Sequence, residues 1–239
     1  MRYGALMTSK TSYEVTDGVA VLRLDDGKAN AVGYDTLAAI DAALEDAEQG
    51  AGALVITGRE GRFSAGFDLG VFAEGPHAAR DLVAAGAHTA MRIYGAKVPV
   101  VAACTGHALA FGAIVLLSSD VRIGADVEAK IGLIEVSIGM PLPIFGIEMA
   151  RDRLSPRHFT AATALATAFS PRGAAEAGYL DEVVPADELD GAAMQRAQEL
   201  AAHVRRTAFG LTRRTARQKT IDLILSTLDE DLENFGVLE

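Results

Sequence analysis

The sequence predicts an α/β fold with mostly parallel strands, followed by a helical C-terminal region. Three observations predict it. Strand-like runs, Ala53 to Thr57, Val98 to Cys104 and Asp120 to Gly124, alternate with stretches whose apolar residues recur at helical spacing. Strands separated by helices pair in parallel through crossovers. Past Gly139 nearly every segment has helical character. The expected boundaries are an α/β core over residues 11–185 and a helical region over 186–239. The apolar faces of that region call for a partner surface, which self-association would supply.

In chain order, Ser12 to Thr16 and Val19 to Leu24 flank Asp17-Gly18, a β-hairpin signal. Asp25 to Ala31 is polar and turn-rich. Tyr34 to Gln49 carries Leu37, Ile40 and Leu44 on one helical face. Helical pattern runs from His77 to Tyr94, and Phe111 to Ser118 is a short apolar helix. Further helices are expected over Gly146–Leu154, Ser155–Thr167, Pro171–Gly178, Asp187–Arg206 and Thr207–Asn234, with a short strand at Leu180–Val184.

Bulk properties exclude several classes. Of 239 residues, half are hydrophobic and 23% charged, the profile of a soluble globular protein with length for a large core. A net charge of −10 argues against non-specific binding to nucleic acid or anionic membrane. No apolar run reaches the roughly 18 residues that span a bilayer. The single cysteine, Cys104, closes no intrachain disulfide, which fits a reducing cytoplasm. Met1 to Lys10 lacks a signal-peptide core and reads as a loose leader. Phosphate-binding, dinucleotide-binding and nucleophile-elbow motifs are absent, and the five histidines are scattered, so no metal is expected.

Two stretches carry the chemistry. Arg62 to Leu69, R-F-S-A-G-F-D-L, follows the Ala53–Thr57 run and a Gly58-Arg59-Glu60-Gly61 turn; Asp68 suits the cap of a following helix. Thr105 to Ala113, T-G-H-A-L-A-F-G-A, follows the Val98–Cys104 run. A strand that breaks at small residues and opens into a helix leaves free backbone N–H groups, which attract developing negative charge. The two breaks read as paired donors facing one site.

These motifs, with A-K-I-G-L-I-E-V-S-I-G and S-P-R-G-A-A-E-A-G-Y-L-D-E-V-V-P following in order, resemble the crotonase, or enoyl-CoA hydratase/isomerase, superfamily over nearly the whole chain from Tyr13. The resemblance implies a spiral core of ββα turns, a C-terminal helical trimerisation region, and a homotrimer or dimer of trimers. It also implies an acyl-CoA substrate, coenzyme A being part of the substrate rather than a separate cofactor. By position, the N–H groups of Phe67 and Phe111 would hold the thioester oxygen. The family usually has glycine at the second of these positions; only the N–H is needed, and the phenylalanine adds bulk to the acyl pocket.

Reactions at the α or β carbon of an acyl-CoA pass through an enolate, whose charge two fixed N–H donors stabilise by about 3–4 kcal/mol each. A carboxylate must then move a proton. Glu135, among Ile131, Leu133, Ile134, Val136 and Ile138, is the candidate, since an apolar surround raises a carboxyl pKa towards that of a useful base. A lone Glu is by default a partly exposed surface group; the motif match tips the reading to catalysis.

Hydratases of the family carry a second glutamate two residues past the glycine matching Gly112, where this chain has Ile114. One carboxylate suffices to shift a double bond, so isomerase-like chemistry is favoured. The alternatives are a hydratase using a carboxylate from elsewhere and a non-catalytic acyl-CoA binder. Asp68 reads first as a helix cap, His107 as structural, Glu148 as a solvated helix face, Asp120 as a backbone partner and Cys104 as a small buried group. Lys28-Ala29-Asn30-Ala31 resembles the family loop that lines coenzyme A, one residue short. Lys28, Ala29, Ala65, Gly66, Asp68, Leu69, Gly112 and Ile114 complete the expected substrate-binding set. The basic run Arg205, Arg206, Arg213, Arg214, Arg217 and Lys219 reads first as solvated helix face and second as an attractor of the coenzyme A phosphates.

Overall fold

The computed structural model describes residues 10–233. All of the expected leader except Lys10, and the expected end of the last helix at Asn234, lie outside them. The hairpin forms as the sequence predicts: β1 (Thr11–Thr16) and β2 (Val19–Leu24) pair antiparallel around Asp17-Gly18, both at positive φ. Then follow β3 (Ala31–Val32), α1 (Tyr34–Gly50), β4 (Ala53–Thr57), β5 (Gly61–Ser64), β6 (Gly66–Phe67), α2 (Leu69–Phe72) and α3 (Pro76–Tyr94). Next come β7 (Val100–Cys104), β8 (Gly106–Leu109), α4 (Phe111–Ser118), β9 (Val121–Ala125) and β10 (Ile131–Gly132). A 3-10 turn, Glu135–Ile138, leads to α5 (Ile144–Arg153), α6 (Phe159–Ala162), α7 (Pro171–Ala177), β11 (Glu182–Val184), another 3-10 turn at Ala186–Glu188, α8 (Leu189–His203) and α9 (Arg206–Asp231).

The main sheet has the order β1-β2-β4-β7-β9-β11 and is parallel except for the hairpin. Side chains alternate across it. Leu54 and Ile56 of β4 face one core with Leu37 and Ile40 of α1, Leu82 of α3 and Leu116 of α4. Ala53 and Val55 face the other, with Leu189, Ala193 and Ala197 of α8. A strand buried on both faces must be apolar throughout, which is why β4 and β7 read as unbroken apolar runs. The α8 helix therefore covers the sheet of its own chain, whereas α9 lies beside α3 and α5.

The short strands form two smaller sheets, β10-β8-β5 and β3-β6. β5 and β8 follow the main-sheet strands β4 and β7 directly in the chain, and β6 follows β5.

The expected helix over Ser155–Thr167 reduces to Phe159–Ala162. Phe169 exchanges two main-chain hydrogen bonds with Ile131, at 2.9 and 2.8 Å, and Thr167 N–H donates to Ala161 C=O, with Ala166 at φ 47°. This pairing pulls the chain out of the helix, an override of local propensity by tertiary contact.

Candidate active site

Asn30 organises the first break. It is buried, sits at φ 53°, and its Nδ2 donates to the carbonyls of Leu24 at 2.9 Å, Arg62 at 3.0 Å and Phe63 at 3.2 Å. Ser64 Oγ donates to Asn30 C=O at 2.8 Å and accepts from Gly66 N–H at 3.2 Å. Asp26 closes the loop from outside, accepting from the N–H groups of Lys28, Asn30 and Ala31. Its carboxyl is held below the usual range because those donors, with Arg59, outweigh the effect of burial.

From there β6 pairs with β3, and Asp68 N–H donates to Val32 C=O at 3.0 Å. Strand alternation turns the preceding N–H, that of Phe67, to the opposite edge of β6. That edge faces the second break. A Cβ built on Gly66 would stand 2.8 Å from Ala110 Cβ and 3.3 Å from Phe111 N, so only glycine permits the approach. Gly112 is equally confined: its Cβ would lie 2.6 Å from Ser64 O. Ala110, at φ 50° and ψ −120°, turns the chain into α4. This is a backbone region that L side chains rarely occupy, and a strain of about 1–3 kcal/mol is held there by the surrounding bonds. Phe111 opens α4, so its N–H has no intrahelical acceptor.

The third component is tied to the second. Ala110 N–H donates to Gly132 C=O at 3.0 Å, and β10 runs parallel to β8. Two residues on, Leu133 and Ile134 lead into the turn that opens at Glu135, with Gly139 closing it at φ 81°. Glu135 Oε2 is buried and, among the described residues, has no hydrogen-bond partner. Burial pushes its pKa up to about 7, against the opposing pull of its own and the Ile134 backbone N–H.

These elements enclose a cavity of about 420 Å³, lined mainly by apolar groups, among them Phe67, Leu69, Phe72, Val83, Ile134 and Met140. Ala29, Ala31, Ala65, Ala110, Asp68 and Glu135 also line it. Of the expected set, Ala29, Ala65, Phe67, Asp68, Leu69 and Glu135 come together on this wall. Lys28 is exposed and outside the lining, its carbonyl accepting from Arg59 at 2.7 Å. Gly66, Gly112 and Ile114 do not line it: the glycines serve the close approach, and Ile114 is 1% exposed within the core. Phe111 is also buried beneath the lining, its ring stacked on Phe67 at 4.5 Å.

Asp68 caps α2, accepting from Gly70 N–H at 2.8 Å. His107 Nδ1 accepts from Lys130 N–H, and Cys104 is buried with its thiol pushed up to about 12 by burial. Glu148 pairs with Arg151. Asp120 accepts from Val100 N–H at 2.8 Å and pairs with Arg213 and Arg217. The basic run divides. Arg213 is buried and donates to the carbonyls of Ile93, Tyr94, Ala96 and Val98; Arg217 donates to Tyr94 C=O and lies over the Tyr94 ring. Arg206 donates to the carbonyls of Glu48 and Ala51, while Arg205, Arg214 and Lys219 are exposed. Neither sequence reading of this run anticipated a buried guanidinium that collects the carbonyls ending α3.

Sequence reasoning placed Asn30 in the candidate loop without a role of its own, and it missed Phe72, Val83 and Phe145 as lining residues. Asn30 had a usable signal, an asparagine in a turn-rich loop, a residue that tolerates φ > 0. The lining residues of α3 and α5 had none, because helical periodicity does not distinguish a core face from a cavity wall.

Residues 14–237 match the family model described as enoyl-CoA hydratase/isomerase. The chain belongs to the enoyl-CoA hydratase/isomerase family. Among solved structures, it is similar to an enoyl-CoA hydratase/isomerase family protein from Pseudomonas syringae, with 40% identity, a TM-score of 0.91, and 95% and 98% of the two chains covered. It is likewise similar to an enoyl-CoA hydratase from Mycobacterium marinum, at 35% identity and a TM-score of 0.86 over 95% and 100% of the chains. Among curated proteins it resembles mouse mitochondrial enoyl-CoA delta isomerase 1, 29% identical over 226 residues, covering 91% of this chain and 77% of the mouse protein. The crotonase fold expected from the motifs is thus the fold observed, and its helical C-terminal region is consistent with a trimerisation region. Among the described residues no helix is long and apolar enough to cross a membrane, and no three His, Cys, Asp or Glu side chains gather as metal ligands would.

Proposed function

We propose that this hydratase/isomerase family member is an enoyl-CoA isomerase that moves a double bond along an acyl-CoA thioester. The observation that carries the proposal is the state of the carboxylates on the cavity wall. Glu135 offers a buried, unpartnered oxygen at a pKa near neutrality, whereas Asp68 is engaged as a helix cap and position 114 holds a core isoleucine. Among the described residues the carboxylates on this wall are Asp68 and Glu135, and Glu135 is the one we assign to proton transfer. The enoyl-CoA delta isomerase among its relatives supports the same reading.

In this mechanism the N–H groups of Phe67 and Phe111 receive the thioester oxygen of a 3-enoyl-CoA. Glu135 takes a proton from the α carbon, and the released electron pair delocalises over the thioester oxygen and the β,γ double bond. The dienolate is stabilised by the two donors and by the positive end of α4. Glu135 then returns the proton to the γ carbon, leaving the double bond between α and β. A pKa near the working pH suits a group that must both accept and give the proton. Coenzyme A enters past Ala29, Ala65 and Leu69, with Lys28 outside the rim, and no separate cofactor is required. Leu211, Leu223 and Leu225 of α9 stay exposed, and their burial between subunits of a homotrimer or dimer of trimers fits this surface.

The test offers the protein a 3-enoyl-CoA and a 2-enoyl-CoA and follows absorbance and product mass. Conversion of the first to the conjugated product, lost in Glu135→Gln, is the expected result. Efficient hydration of the second would replace this reading by a hydratase. Tight binding without turnover or α-deuterium exchange would replace it by a binder.

A further inference from the structure

We infer that Gly86 is a specificity-determining residue, which seats the Phe67 ring against α3 and so keeps the cavity open to a long, straight acyl tail. The inference rests on the acyl-CoA reading of the cavity.

Gly86 lies on the buried face of α3, one turn beyond the cavity-lining Val83. Residues three apart share a helix face, so a side chain at 86 would extend the wall that Val83 begins. A Cβ there would stand 2.4 Å from Phe67 Cζ, 2.5 Å from Phe67 Cε1 and 3.0 Å from Phe111 Cε2. Two rings therefore occupy the space of the missing side chain. The Phe111 ring cannot retreat, being 1% exposed and packed in the core. Phe72 stands on the other side of Phe67, at 6.2 Å between ring centroids. The direction left to a displaced Phe67 ring is into the cavity it lines. The same residue thus supplies a candidate oxyanion donor through its backbone and a movable wall through its ring.

Glycine inside a 19-residue helix is otherwise unfavourable, since alanine propagates helix better. Gly86→Ala therefore does not weaken α3 as a helix, and its effect reports the ring. The experiment measures binding of saturated acyl-CoAs, from butanoyl to dodecanoyl, to the wild type, Gly86→Ala, Phe67→Leu, and the double variant, with thermal melting of each. In Gly86→Ala, dodecanoyl-CoA is expected to bind about ten-fold more weakly while butanoyl-CoA changes little, an overpacking effect felt only where the tail passes. Adding Phe67→Leu, which shortens the displaced group, is expected to restore the long chain. If Gly86→Ala alone does not fold, the double variant is expected to fold and to bind every chain length as Phe67→Leu does; a double variant that stays unfolded, or that loses long chains against Phe67→Leu, overturns the inference. In a folded Gly86→Ala, equal losses at every chain length, or none, overturn it as well. Failure of the wild type to bind any acyl-CoA overturns the function proposal itself, so the two failures are distinguishable.

Discussion

Gly66 and Ala110 are held so close that a Cβ on Gly66 would stand 2.8 Å from the Ala110 Cβ. This contact joins two segments 44 residues apart (110 minus 66) and sets the spacing of the Phe67 and Phe111 amides. Gly66 also sits at φ 96°, where an L side chain is strained. Gly66→Ala should lower stability by about 1–3 kcal/mol and turnover by about 100-fold, the loss expected from shifting a donor by an ångström. Urea denaturation read beside steady-state kinetics checks both; unchanged turnover in a folded variant would contradict the paired-donor geometry.

Glu135 should set the acid limb of the pH profile. Its carboxyl must be ionised to take the α proton, so kcat/KM should rise as pH passes through about 7. Stability should move the other way. The folded-state pKa lies above the unfolded value, so the contribution from protonation is complete below the unfolded pKa and is lost as pH rises through about 7. Glu135→Gln removes that titration. Melting temperatures of the two proteins compared at pH 5 and pH 8 should show the variant gaining on the wild type at the higher pH.

Ile114→Glu would restore the residue type found in two-carboxylate members, yet the site is 1% exposed and outside the cavity lining. The new carboxyl would be buried without a partner. A stability loss of several kcal/mol is expected, with no gain of hydration of a 2-enoyl-CoA. Appearance of hydratase activity in a well-folded variant would show that position 114 faces the substrate after all.

Arg213 gathers the carbonyls of Ile93, Tyr94, Ala96 and Val98 and pairs with Asp120 at 2.9 Å. Burial lowers its pKa to about 10, which leaves it charged at neutral pH. Arg213→Met should cost about 3–5 kcal/mol, because the carbonyls and Asp120 lose their partner. Asp120→Asn should cost less, since it leaves the carbonyl contacts in place. Equilibrium denaturation of both variants and the double variant measures their coupling.

The two strand breaks were legible because each is local. A strand running into small residues and then a helix can be read from a dozen positions, whereas Glu135 was singled out by the family motif, a lone Glu reading by default as a surface group. The hairpin, α1, α3 and α4 followed from turn chemistry and periodicity in the same way. Ser155–Thr167 was not legible as it folds, since its helix is cut short by Phe169 pairing with Ile131, a partner 38 residues away (169 minus 131). Arg213 looked like its exposed neighbours Arg214 and Lys219 because a charged residue's environment is set by what packs against its helix.

By itself the sequence determined the α/β order of elements and the two strand breaks, while the choice of Phe67, Phe111 and Glu135 came from the family motifs. Only the tertiary structure decided that Gly66 meets Ala110, that Ile114 faces the core, and that Phe67 and Phe111 stack over Gly86. The physical reason is range. Backbone geometry and periodicity act over a few residues and leave a readable pattern, whereas close packing acts between segments distant in the chain. Whether a side chain lines a cavity or fills a core depends on neighbours that no local pattern names.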